Sequence, residues 1–164
     1  MAKTFKDLEA FKRSLGVVVA VYDVTAKFPK HELYGLVSQL RRASIGVISH
    51  IAEGQGRLTY GEWRQFLSQA RGSLFEVEAQ LIAAHQLAFL KEAELLHVTR
   101  LIRSAGRALS GLIDWVRKHE SRSKQPSNLA TQQPATALRP APPPNPPPTV
   151  PQTKSARRSA DVPT

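Results

Sequence analysis

Gln39-Leu40-Arg41-Arg42-Ala43-Ser44-Ile45-Gly46-Val47-Ile48-Ser49-His50-Ile51-Ala52-Glu53-Gly54-Gln55-Gly56-Arg57 is the stretch on which the fold turns. At helical spacing Leu36, Leu40, Ala43 and Val47 form one apolar stripe, and Val37, Ile45, Ile48 and Ala52, which lie off it, are apolar too. A surface helix would be polar at those positions, so this helix is expected to be covered on two sides. One cover is the core of its own bundle. The simplest candidate for the other is a second copy of the chain.

Three more helical segments flank this one. Over Lys6–Ala26, the residues Leu8, Phe11, Leu15, Val18 and Tyr22 alternate steps of three and four, the seam of a bundle helix, and Phe28-Pro29 stops it. Val17, Val21 and Val24 make a second line that either widens the core face or meets another subunit. The central helix is expected over Leu33–Glu53, with Gly54-Gln55-Gly56 as its left-handed cap. Thr59-Tyr60-Gly61-Glu62 reads as a capping box, and Trp63, Leu67, Ala70, Leu74, Val77, Leu81, Ala84 and Ala88 follow as a clean seam. Phe75, Ile82 and Phe89 form another apolar line at sevenfold spacing, large enough to call for a partner.

The fourth segment, Glu92–His119, carries Leu95, Val98, Ile102, Ala105, Leu109, Leu112 and Val116. Its acids come first and its bases last, as the helix dipole favours. The heptad phase runs unbroken from Ala88 to Leu95 with no Gly or Pro between, so spacing alone allows either a turn or one continuous helix.

The chain has 164 residues, no cysteine and a formal net charge of +10. Eleven of its 12 prolines follow Gln125, so residues 1–119 read as one helical domain and residues 120–164 as a disordered, Pro-rich extension of polyproline II character. Basic residues outnumber acidic ones 17 to 11 in the first part and 6 to 2 in the second. Without cysteine there is neither a disulfide framework nor a thiolate site. The N-terminus lacks the apolar core of a signal peptide, and the run Val17–Tyr22 is far short of the ~20 residues of a membrane helix, so a cytoplasmic protein without membrane contact is expected.

Enzyme chemistry finds little support. A di-iron bundle needs two Glu-x-x-His motifs, and only Glu94-Leu95-Leu96-His97 fits. His50 and Glu53 are expected to pair one turn apart, with no third group to make them an acid–base device. No catalytic residue, metal ligand or cofactor is assigned. Arginines are more informative: Arg100, Arg103 and Arg107 lie opposite the fourth seam, Arg64 and Arg71 are seven apart after Arg57, and Arg41-Arg42 flank the second seam. Such forks suit an RNA or DNA phosphate backbone. The alternative is that they solvate an outer face and pair with Glu76, Glu78 and Glu92.

An ordered set of motifs adds to this reading. Phe5-Lys6-Asp7-Leu8, Phe28-Pro29 with Glu32, Tyr34-Gly35-Leu36, Gln39-Leu40-Arg41-Arg42-Ala43, Ile51-Ala52-Glu53-Gly54, Gly56-Arg57, and then Glu62, Phe66-Leu67, Ala70, Gly72-Ser73-Leu74, Glu76, Glu78 and Gln80-Leu81 together resemble the bacterial four-helix-bundle family of 23S ribosomal RNA intervening-sequence proteins. The resemblance covers about the first 90 residues closely and 91–119 loosely. Ile48 and His50 stand where the family usually has Pro and Asn. The resemblance implies a tight turn near Ala88-Phe89-Leu90 and a pentameric ring. It also implies kinship with the accessory variability protein of diversity-generating retroelements, which contacts nucleic acid and a reverse transcriptase.

The expectation is therefore an all-α, antiparallel up-down-up-down four-helix bundle that self-associates through Val17, Val21, Val24, Val37, Ile45, Ile48, Phe75, Ile82 and Phe89. Its arginine faces would bind nucleic acid. The competing expectation is an interaction scaffold whose Pro-rich tail recruits a partner protein.

Overall fold

The computed structural model describes residues 4–124, which form four helices: α1 (Glu9–Thr25), α2 (Leu36–Gln55), α3 (Tyr60–Gln86) and α4 (Glu92–Lys124). Short 3-10 turns at Phe5–Asp7 and Lys30–Glu32 precede α1 and α2. Each helix packs on the next and α4 returns to α1, while the backbones of the diagonal pairs do not approach closely among the described residues. The sense of each pair is set by particular contacts. Thr25 at the end of α1 meets Arg41 near the start of α2, Gly54 at the end of α2 lies against Trp63, and Arg64 of α3 reaches Glu120 of α4. The bundle is antiparallel, up-down-up-down, the arrangement expected for helices joined by short connections.

The seam of α3 is the one expected as far as Ala84, while Ala88, its expected last member, is exposed in the turn beyond the helix. Trp63, Leu67, Ala70, Leu74, Val77, Leu81 and Ala84 are all buried, facing Leu40, Val47 and Ile51 of α2 and Val98, Ile102, Ala105, Leu109 and Val116 of α4 in one core. The phase of α1 differs from expectation. Its buried line is Ala10, Ser14, Val17, Val21 and Val24; of the expected seam Leu8 and Val18 are also buried and Phe11 is half-buried, whereas Leu15 and Tyr22 are 43% and 41% exposed. Both lines keep the three-four rhythm. The core takes the one containing Ala10 and Ser14, whose small side chains suit close helix approach.

The connections also depart from the simple signals. Gly54 is not a left-handed cap but a helical residue at a close crossing: a Cβ there would lie 2.8 Å from Trp63 Cδ1 and 3.0 Å from Phe66 Cβ. Gly56, the C-cap, has an ordinary right-handed conformation (φ −77°, ψ −4°). Entry to α2 is later than expected because Glu32 turns back and accepts a hydrogen bond from the Leu36 amide (3.0 Å). At the start of α3, Thr59 Oγ1 accepts from the Glu62 amide (3.2 Å), while Glu62 binds the Thr59 hydroxyl rather than its amide.

Between α3 and α4 there is a turn. Ala88 adopts φ 60°, the left-handed region, and the Phe89 amide donates to the Ala84 carbonyl. This is a Schellman closure with alanine where glycine is usual. The turn is clamped from both sides, since His85 Nδ1 contacts the Leu90 carbonyl at 2.9 Å and Phe89 packs at 6.0 Å from Phe28.

The fourth helix continues to Lys124, five residues beyond the expected domain end at His119. Glu120 is the reason, because it is buried and accepts a 2.9 Å bond from Arg64 Nε. Of the disordered extension expected over residues 120–164, residues 120–124 are helical and belong to α4, and the remainder lies outside the described residues. Among those described, no helix is long and apolar enough to cross a membrane.

Candidate nucleic-acid interface

The eight arginines singled out by sequence fall into two groups. Four are tied down. Arg41 Nε donates to Thr25 Oγ1 (3.0 Å) and its guanidinium lies 4.6 Å from the Tyr22 ring centre. Arg42 donates to the Gln39 amide oxygen at 2.9 Å. Arg57 pairs with Glu53 and covers the Phe66 ring at 4.3 Å, and Arg64 holds Glu120. The expected pairing of His50 with Glu53 is not formed, because Arg57, one turn on, takes that carboxylate.

Arg71, Arg100, Arg103 and Arg107 behave differently. All four are exposed and none has an ion pair or hydrogen bond with another described residue. Pairing with Glu76, Glu78 or Glu92, the bland alternative, does not occur: Glu76 accepts from Gln80 instead. Arg100, Arg103 and Arg107 rise along the outside of α4 at steps of roughly 4.5 and 6 Å, opposite the buried Val98–Ile102–Ala105–Leu109 line. Three unpaired guanidinium groups on one rigid face form a concentrated positive ridge, with several donors each still unsatisfied by protein.

The residues expected at a subunit interface also divide. Val17, Val21, Val24 and Val37 are buried in the bundle's own core and are not available to a second copy. Phe89 is half-buried in the turn between α3 and α4. Ile48 is half-buried, and Ile45 of α2 is exposed, as are Phe75 (62%) and Ile82 of α3. Size-based reading missed three more exposed apolar residues, Leu15, Val19 and Tyr22 of α1, because it placed Leu15 and Tyr22 in the core. The Tyr22–Arg41 contact puts that α1 strip beside Ile45, on the outer face shared by α1 and α2. Ile82 lies five helical turns from Arg64, which faces α4, so Phe75 and Ile82 line the α4 edge of α3. Two separate apolar strips thus lie on opposite sides of the bundle.

The acidic groups serve the scaffold. Glu94 accepts from Lys27 Nζ (2.7 Å) and from the Lys91 amide (3.2 Å), tying α1 to the start of α4. Its carboxyl is held below the usual glutamate range, first by the Lys27 hydrogen bond and then by that of Lys91, and the Lys27 ammonium is correspondingly raised. The lone Glu-x-x-His motif therefore has its carboxylate engaged by a lysine, and no group of three potential metal ligands occurs among the described residues.

A family profile described as 23S rRNA-intervening sequence protein matches residues 6–111, well over half of the chain. No curated protein matches it significantly.

Proposed function

The chain belongs to the family of 23S rRNA-intervening sequence proteins, and on that premise we propose that it is a non-catalytic, self-associating protein that binds RNA or DNA through its phosphate backbone. The observation that carries this reading is the ridge of Arg100, Arg103 and Arg107, exposed on a rigid helix and free of acidic partners among the described residues. Arg71 adds a fourth free guanidinium on the neighbouring helix. Phosphate contacts of this kind give affinity that falls steeply with salt and carries little sequence preference.

Self-association belongs to the same reading. A twofold contact uses one patch twice, whereas head-to-tail contact uses two different patches and makes a ring where the rotation between copies closes. The strip on α1 and α2 and the strip on α3 are two patches on opposite sides, which supports a ring, and the family resemblance favours five copies. Each copy would bring its own ridge, multiplying the positive field. A cytoplasmic location, where such a polyanion is met, completes the proposal.

The test is retention of single-stranded RNA by the wild type and by the Arg100→Ala, Arg103→Ala, Arg107→Ala triple variant, titrated from about 50 to 200 mM salt. Loss of three contacts per site should weaken binding and lower the slope of log affinity against log salt by about 2. Identical slopes would remove the ridge from any role in nucleic-acid binding.

A further inference from the structure

Where the end of α1 meets the start of α2, a groove of about 350 Å³ opens on the surface, at the small end of the range for ligand sites. Its walls are apolar: Phe28, Pro29, Leu33 and Val37. Phe28 and Val37 are buried parts of the core and form a fixed floor, whereas Leu33 is 51% exposed and stands open to solvent. Two cations complete the lining, Lys30 and Arg41, and no carboxylate lines it among the described residues. Glu32, in the same turn, is occupied by the Leu36 amide and lies 3.7 Å from His31.

Arg41 differs from an ordinary surface arginine. Its Nε is fixed by Thr25 Oγ1, and its guanidinium rests on the Tyr22 ring. Neither terminal nitrogen has a protein acceptor among the described residues, so a planar fork is held ready beside an apolar floor. A preset fork suits a carboxylate, which it can take through two parallel bonds.

We infer that this groove docks a segment of a partner protein in which an aspartate or glutamate stands next to an aliphatic side chain. Charge complementarity chooses the occupant: the carboxylate meets Arg41 and Lys30, and the aliphatic group covers Leu33, Phe28 and Val37. A nucleic-acid backbone would satisfy the cations but leave the apolar floor facing sugar and phosphate. The groove is lined by residues of the α1–α2 junction and the ridge lies on the outer face of α4, with no residue in common. The inference stands whether or not the ridge binds RNA.

The test uses the full chain and a hexapeptide of three Leu-Asp repeats carrying a neutral fluorophore, followed by anisotropy. The matching Leu-Asn and Gly-Asp hexapeptides serve as controls. Binding by the Leu-Asp peptide is expected, at least tenfold tighter than by either control. Arg41→Lys, which keeps the charge but loses the fork, and Leu33→Asp, which changes only an exposed wall, should each weaken it at least fivefold. Leu33→Asp decides the matter if circular dichroism shows Arg41→Lys to be misfolded. The Arg100, Arg103, Arg107 triple alanine variant should bind the peptide within twofold of wild type. Absence of binding up to millimolar peptide, equal binding of the Leu-Asn control, or wild-type affinity in a folded Leu33→Asp variant would overturn the inference. So would full displacement of the peptide by a short oligouridylate, which would make the groove a nucleic-acid contact.

Discussion

The Phe89 amide donates to the Ala84 carbonyl at 2.9 Å, across a residue, Ala88, that sits at φ 60°. Together with the bond from the Ala88 amide to the His85 carbonyl (3.0 Å), this bond closes the turn that makes a helical hairpin out of α3 and α4. The closure is held against a local penalty, since a side chain in the left-handed region meets its own carbonyl.

Replacing Ala88 by Gly should therefore raise stability. Relief of the left-handed penalty exceeds the added freedom of the unfolded chain, for a net gain of about 0.5–1 kcal/mol. Urea denaturation followed by helical circular dichroism measures it. A loss of stability would mean that Ala88 is unstrained.

Ser14 is fully buried on the core side of α1, and its hydroxyl has no partner among the described residues. Ser14→Ala removes an unsatisfied group and leaves only a small void. The variant should be more stable by about 1 kcal/mol. Equal or lower stability would show that the hydroxyl is satisfied in solution.

The Lys27–Glu94 pair makes a prediction with a definite sign. Glu94 titrates below the ordinary glutamate value of 4.5 in the folded chain. The pair thus stabilises the fold above that value, and the contribution disappears as pH falls through the lowered folded value. Glu94→Gln should be less stable than wild type at pH 7, and the gap should close progressively below pH 4.5. A gap of constant size between pH 7 and pH 3 would rule the linkage out. Because both groups lie near solvent, the effect should be small.

Self-association through opposite strips can be separated from folding. Ile45→Asp on α2 and Phe75→Asp on α3 each place a charge in an exposed apolar strip. Each alone should reduce the mass seen by light scattering while leaving the helical signal intact. An assembly that survives both changes would discard the head-to-tail arrangement.

Much of the bundle could be read from spacing, and the failures have physical causes. The α3 seam was legible because its large side chains form one unrivalled three-four series from Trp63 to Leu81. In α1 two such series interleave, and the choice fell to Ala10 and Ser14, residues too small to announce themselves. Counting Leu15 and Tyr22 as core hid part of an exposed strip and gave core valines to an interface. The α3–α4 turn carried no glycine and came from family resemblance rather than from composition. Basic residues were easy to find, but their availability was not. Arg41, Arg57 and Arg64 are engaged by Tyr22, Phe66 and Glu120, partners 19, 9 and 56 positions away, and separations of that kind follow only from the packed fold.

The unbroken apolar rhythm across the last helical connection has its own consequence. Ala84, Ala88, Lys91, Leu95 and Val98 would stay in step if Ala88 rotated into the right-handed region. The five non-helical residues 87–91 thus stand between a hairpin and a single rod from Tyr60 to Lys124, whose far half would fit the bundle of a neighbouring molecule as well as its own. Closing the turn between Ala84 and Phe89 is what keeps α4 folded back on its own chain's core.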